Sequence, residues 1–197
     1  MSLSKISALC FEAGGVWGLA YIGAVQELSK YKDLKTVQTF CGTSAGSLAS
    51  FALSIGVNNG QWNDIMLHCR RMIYKQLPSM VVKLPWNICY NYGIIPHEIV
   101  RDFAKHILQT VYPDKEDILF EELNKKLIIT ATNLSDSYFF IASKQTTPKM
   151  SVLDAVCYSC CGNFALTPNY IKLRKQKIIT VVDGGDHILN YPFQCIL

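Results

Sequence analysis

The sequence predicts an α/β fold, with a mainly parallel sheet flanked by helices in a single domain over residues 1–197. Three observations predict it. Short β-rich apolar runs alternate with stretches of helical periodicity, the pattern of strands joined by crossover helices. Glycine-containing turns follow three of those runs, where open α/β sheets hold their chemistry. Half of the 197 residues are hydrophobic and only 17% are charged. A chain of that length buries roughly 70% of its unfolded surface in one core.

The first strand is expected at Ile6 to Phe11, ending in Ala13-Gly14-Gly15. After Gly18, the residues Tyr21, Ala24, Val25 and Leu28 fall on one helical face. A second strand is expected at Thr36 to Cys41, followed at once by Gly42-Thr43-Ser44-Ala45-Gly46. Ala45, Leu48, Ala49, Ala52 and Leu53 then repeat the helical spacing, and Gly56 supplies a stop. Another helix is expected from Gln61 to Tyr74, whereas the prolines and aromatics of Pro78 to Tyr92 read as irregular. Pro96 suits a first helical position ahead of Val100, Phe103, Ala104 and Ile107. Leu127 to Thr132 reads as a strand paired with Tyr138 to Ala142, and Ser151 to Asp154 as a capping box. A last strand, Ile178 to Val182, ends at Asp183-Gly184-Gly185.

Composition excludes several function classes. A net charge of +4 is too small for nucleic-acid binding but favours contact with anionic lipid. The apolar stretch from Leu48 to Val57 is interrupted by Ser50, Ser54 and Gly56, far short of the roughly 20 residues of a transmembrane helix. No charged segment followed by an apolar one precedes the first strand, so no secretory leader is expected. The eight cysteines then read as reduced thiols of an intracellular protein, cytoplasmic or peripheral to membranes. Cys157 and Cys160 form a single C-x-x-C, which reads as small-residue packing rather than zinc or redox chemistry. His68, His97 and His106 lie at no ligand-like spacing, so neither metal nor cofactor is expected.

Three glycine-bearing motifs carry chemistry. Gly42 to Gly46 matches G-x-S-x-G, where a serine stands on a strained strand-to-helix turn and flanking glycines remove clashes. Gly14, Gly15, Val16 and Gly18 precede a helix and leave backbone N–H groups to meet an oxyanion. One such donor is worth about 3–4 kcal/mol in a transition state. The same stretch also fits a plain tight turn, although neither the dinucleotide fingerprint nor a P-loop is present. Asp183, directly after an apolar strand and before Gly184 and Gly185, can reach over a sheet edge, or simply form a turn.

Together these motifs resemble the patatin-like phospholipase family, in the same order and over about Ile6 to Phe193. Gly18-Leu19-Ala20-Tyr21-Ile22-Gly23-Ala24, Ala131-Thr132-Asn133-Leu134, Asp154-Ala155-Val156 and Asn190-Tyr191-Pro192 add to the likeness. The resemblance implies a compact version of that family's three-layer fold and a Ser–Asp dyad. Ser44 is then the nucleophile, Asp183 the base, and Gly14, Gly15 and Val16 the oxyanion donors. It implies calcium-independent hydrolysis of glycerophospholipid or acylglycerol esters, at a membrane or lipid-droplet surface. Two departures stand out: Ala13 replaces the first glycine of the family's loop, and Trp17 occupies its basic position. Backbone donors survive both.

His187 lies four residues beyond Asp183 and reads as a loop histidine rather than a third catalytic member, since triads draw these residues from separate loops. Met80 to Tyr92 reads first as core and second as an interfacial lip, and the Lys172 to Lys177 cluster as a solvated turn. The alternative function is an inert lipid-binding or regulatory member of the same fold, supported by Ala13 and Trp17. Acyl transfer to another acceptor is disfavoured, because no distant histidine partner is evident.

Overall fold

The computed structural model describes residues 6–91, 93–95, 98–133, 135, 138–161, 164–166, 169–172 and 178–183. Strand β1 (Ala8–Phe11) leads through a 3-10 turn, Gly15–Leu19, into α1 (Ala20–Leu28). Strand β2 (Thr39–Thr43) passes into α2 (Ala45–Ser54), and α3 (Asn59–Asn91) follows. Then come β3 (Gly93–Ile95), α4 (Glu98–Val111), β4 (Lys126–Asn133), β5 (Tyr138–Ser143) and α5 (Val152–Cys160). The chain closes with β6 (Phe164–Leu166), β7 (Asn169–Lys172) and β8 (Ile178–Asp183).

The parallel core expected from the sequence is β1-β2-β4. Almost every residue of β2 and β4 is buried, as befits strands covered on both faces. Antiparallel strands extend this core: β5 and β8 both pair with β4, and β7 pairs with β8. Because β5 spans Ile128 to Asn133 on one edge of β4, β2 and β8 share the other edge. Strand β2 covers Lys126 to Thr130 and β8 covers Ala131 to Asn133, running in opposite directions. Their carboxyl ends therefore meet head to head. Thr43 stands opposite Thr130, and Asp183 opposite Ala131, one residue further along.

Helices α2 and α5 pack against each other and the sheet, α4 packs on α5, and α3 on α4. Helix α2 is buried almost all round, so its serines must find internal partners. Ser50 donates to the Cys41 carbonyl at 2.8 Å and Ser54 to that of Phe51 at 2.7 Å. The helix stops as expected at Gly56, whose φ is +90°. Gly56 N–H bonds to the Leu53 carbonyl at 3.2 Å and Val57 N–H to that of Ala52 at 3.0 Å, a Schellman closure. Phe40, Phe51, Phe120, Leu127 and Ile129 form the fully buried centre.

Two expectations change. Pro78 to Tyr92 reads as irregular, yet α3 continues through Pro78 and Pro85 to Asn91. A proline removes one ladder bond and bends a helix without necessarily ending it. Tyr92 and Pro96 lie outside the described residues. At α5, half of the capping box forms. Ser151 Oγ accepts from Asp154 N–H at 3.1 Å and donates to Asp117 Oδ1 at 2.8 Å. The Asp154 carboxylate instead pairs with Arg101 of α4, whose other nitrogen reaches Asp117 at 3.3 Å. That ion pair ties α4 to the start of α5. Replacing Ser151 by Ala should lower stability by about 1 kcal/mol, the usual loss for an N-cap. Urea unfolding measures it, and an unchanged midpoint contradicts the assignment.

Candidate active site

Ser44 occupies the junction between β2 and α2 with φ 54° and ψ −127°. Among the described residues it is the only non-glycine with positive φ. Backbone strain of this kind costs about 1–3 kcal/mol and persists only where surrounding packing imposes it. The flanking glycines show what imposes it. A Cβ at Gly42 would lie 2.3 Å from the Gly46 carbonyl oxygen, and one at Gly46 would lie 2.2 Å from that of Phe11. Both obstacles are backbone. The start of α2 is thus pressed against the ends of β1 and β2 at a separation that no side chain permits.

The Ser44 hydroxyl makes no cap bond to its own helix. Its backbone is fully engaged instead: Ser44 N–H donates to Ser159 Oγ at 2.8 Å, and Ser159 Oγ donates to the Thr130 carbonyl at 2.6 Å. Ser47 Oγ donates to the Ser44 carbonyl at 2.6 Å. Thr43 Oγ1 and Thr130 Oγ1 lie 2.5 Å apart across β2 and β4. Ser44, Ser47, Thr43, Thr130 and Ser159 are all buried. The helix start beneath Ser44 also directs unpaired N–H groups and a partial positive charge toward it.

The glycine turn lies beside this junction. A Cβ on Gly18 would lie 2.4 Å from the Cβ of Ala45, the residue that follows Ser44. Gly15 has φ +49° and Gly14 has φ −151°. Trp17 N–H closes the turn onto the Gly14 carbonyl at 2.9 Å. Tyr21, whose hydroxyl donates to the Glu12 carbonyl at 2.7 Å, braces it from the next helix. Burial, then the Glu12 charge, holds the Tyr21 phenol above its ordinary pKa.

Asp183 ends β8 and is 7% exposed. Its N–H donates to the Cys161 carbonyl at 2.8 Å. Cys160 lies 3.7 Å from Ser47 Oγ. Burial pushes its thiol well up in pKa, and the charge of Asp183 adds to the rise. Asp183 is therefore within electrostatic reach of a side chain in van der Waals range of the serine cluster. Burial also pushes Cys157 up to about 12. Neutral, enclosed thiols suit packing better than zinc or redox work. Gly184, Gly185 and His187 lie outside the described residues, as does His97.

A cavity of about 280 Å³ opens next to the junction, lined by Gly15, Gly18, Leu19, Ala45, Leu48 and Phe103 among others. Its walls are almost wholly apolar and come from the glycine turn, α1, α2, α3 and α4. Ala45, next to Ser44, is part of its wall, and Leu19 and Ile73, also in the wall, are about half exposed.

The chain matches the model of the patatin-like phospholipase family over residues 9–194. It belongs to that family. It is 30% identical over 198 residues to an uncharacterized protein of Acanthamoeba polyphaga mimivirus, a match covering 98% of this chain and 62% of that protein. In fold it is similar to VipD from Legionella pneumophila, with a TM-score of 0.58, 14% identity and coverage of 92% of this chain and 46% of the other. It is similar also to the ExoU–SpcU complex of the type III secretion system of Pseudomonas aeruginosa. There the TM-score is 0.56, the identity 16% and the coverage 80% and 36%. The chain spans less than two thirds of each of these relatives.

Ser159 is a site residue that motif reading misses. It has a sequence signal nonetheless. Val152, Ala155, Val156, Ser159 and Cys160 form a buried helical stripe, and a lone hydroxyl on such a stripe must serve a polar partner. Its partners are the Ser44 N–H and the Thr130 carbonyl. Ser159→Ala leaves both unsatisfied, and a loss of about 1–3 kcal/mol in stability is expected. Chemical unfolding of that variant alongside Ser159→Thr, which keeps the hydroxyl, provides the check; equal stability of Ser159→Ala and the parent chain would refute the bridge.

Proposed function

We propose that this chain is a lipid acyl hydrolase acting through Ser44 and Asp183. The observation that carries the reading is Ser44 itself: a strained serine at the head of a buried helix, between a glycine turn and an apolar cavity. A strained backbone with no structural duty for its hydroxyl is a feature of nucleophiles.

In this reading Ser44 Oγ attacks an ester carbonyl while its proton passes to the Asp183 carboxylate. The developing oxyanion is met by N–H groups of Gly14, Gly15 and Val16. Collapse of the intermediate breaks the bond to the alcohol, which leaves with the proton held by Asp183. Water, deprotonated by the same carboxylate, then attacks the acyl-enzyme and returns the proton to Ser44. An aspartate of ordinary pKa near 3.9 is a weak base. Fixed dipoles of the glycine turn and the helix start would offset this by stabilising the charge that moves to the oxyanion.

The head-to-head meeting of β2 and β8 supports the pairing of these two residues, because neighbouring positions on β4 hold the strand ends that bear them. The apolar cavity beside Ala45 supports a long acyl chain as the group transferred. A glycerophospholipid or acylglycerol, presented at a membrane or lipid-droplet surface, is the substrate class that fits. The described cysteines are free thiols, in keeping with a reduced intracellular setting. Among the described residues, no helix is long and apolar enough to cross a membrane.

The test is a panel of phospholipids and acylglycerols assayed with the parent chain, Ser44→Ala and Asp183→Asn. Both substitutions should lower kcat/KM by at least about a thousandfold, as loss of a nucleophile or its base does. A fully active Asp183→Asn would remove the dyad, and a parent chain inert toward the whole panel would favour a lipid-binding role.

A further inference from the structure

The rim of the apolar cavity is itself exposed and apolar. Leu19, which lines the cavity, is 50% exposed, and Trp17, two residues earlier on the glycine turn, is 83% exposed. Across the opening, α3 lines the cavity with Trp62, Ile65, Cys69 and Ile73. A second stripe of α3 runs beside that lining at helical spacing: Met66, Arg70, Ile73 and Tyr74. Met66, Ile73 and Tyr74 are 40%, 45% and 61% exposed. Leu19 and Ile73 both line the cavity and are about half exposed, so both apolar segments reach the surface at its wall. Large apolar side chains gathered around an opening are uncommon on a surface left to water.

One cation of α3 belongs to this face. On α3, Arg70 falls between Met66 and Tyr74 on the stripe beside the cavity lining, whereas Arg71 and Lys75 project from the opposite side of the helix, Lys75 beside His68, Met72 and Asp102. The guanidinium of Arg70 lies 5.6 Å from the centre of the Tyr74 ring, within the aromatic rim. Glu12 is the exposed acid nearest in sequence to the other lip. Tryptophan and tyrosine favour the boundary between water and acyl chains, and arginine favours anionic headgroups.

We propose that Trp17 and Leu19, together with Met66, Ile73 and Tyr74, form a docking face for an anionic lipid bilayer. Arg70, set among them over the Tyr74 ring, meets its headgroups. The Trp17 indole enters the interface and brings the cavity mouth level with the acyl chains. A lipid tail then passes from bilayer to cavity without crossing water. The bilayer, rather than a protein partner, is the occupant because the face adjoins an apolar cavity through Leu19 and Ile73 and sets an arginine among interfacial aromatics. The part played by the cavity rests on the proposed hydrolase reading; the docking face does not need Ser44.

The test uses Ser44→Ala protein, so that binding is read without hydrolysis, and vesicles of phosphatidylcholine with or without about a third phosphatidylserine. Co-sedimentation should be at least tenfold stronger on the anionic vesicles and should weaken as salt is raised. Adding Trp17→Ala and Tyr74→Ala should reduce binding at least tenfold, and Arg70→Gln should lower the preference for phosphatidylserine, whereas Arg71→Gln, on the far side of α3, should leave it unchanged. As a readout that needs no rim substitution, brominated lipid should quench tryptophan fluorescence in Ser44→Ala protein. Trp62 is buried, and any contribution from Trp86 is separated by repeating the measurement with Trp17→Ala. Undiminished binding by the rim variants, quenching that Trp17→Ala leaves undiminished, or absence of binding to anionic vesicles would each overturn the docking face. Vesicle binding by Ser44→Ala protein, together with no lipid hydrolysis by the parent chain, would support the face while removing the hydrolase reading.

Discussion

The site depends on how closely the first turn of α2 approaches the ends of β1 and β2. Gly46 rests against the Phe11 carbonyl and Gly42 against the Gly46 carbonyl, at separations that leave no room for a Cβ. That approach forces the intervening residue into positive φ, and the intervening residue is Ser44. The strain is small beside the apolar burial of α2, which encloses Ala49, Phe51, Ala52 and Leu53. Burying one such large side chain contributes about 1.5–3 kcal/mol. The helix therefore stabilises a conformation that Ser44 would not adopt alone.

From this contact the rest of the site follows. Once α2 is seated, Gly18 can sit directly on Ala45, which brings the glycine turn to the serine. The Ser44 N–H points toward α5, where Ser159 passes the bond on to β4. Helix α5 is held in turn by its cap and by the Arg101 ion pair to α4. On the far side, β4 accommodates two strand ends on a single edge, and Asp183 arrives one register position beyond Thr43. The wall of the cavity is a by-product of the same assembly, since α2, α3 and α4 surround the space that the small residues Gly15, Gly18 and Ala45 leave open.

Much of this was legible in the sequence because the physics is local. The strand-turn-helix junction at Ser44, the stop at Gly56 and the amphipathic run of α4 each write their requirements into neighbouring residues. What was not legible depends on distant segments. Nothing in Ile178 to Val182 states that β8 runs antiparallel to β4, nor that it ends against the end of β2. The hydroxyl of Ser159 looks like any small polar residue until its two partners are known. Pro78 and Pro85 misled for the opposite reason: local propensity favours a break, and α3 runs on regardless. Trp17, a departure from the family's usual basic residue, is 83% exposed on a turn whose Gly15, Gly18 and Leu19 line the apolar cavity, a placement that its own sequence neighbours do not state.

The central claim is that an ester-reactive hydroxyl, a carboxylate and a set of turn N–H groups converge on one point. A crystal structure of the chain inactivated with an alkyl fluorophosphonate tests it most directly. The account predicts phosphorus bonded to Ser44 Oγ, its oxygen held by N–H groups of the Gly14–Val16 turn, the Asp183 carboxylate within hydrogen-bonding distance, and the alkyl chain in the cavity beside Ala45. An adduct on another residue, or a carboxylate turned away from Ser44 with its place taken by a different base, would contradict it.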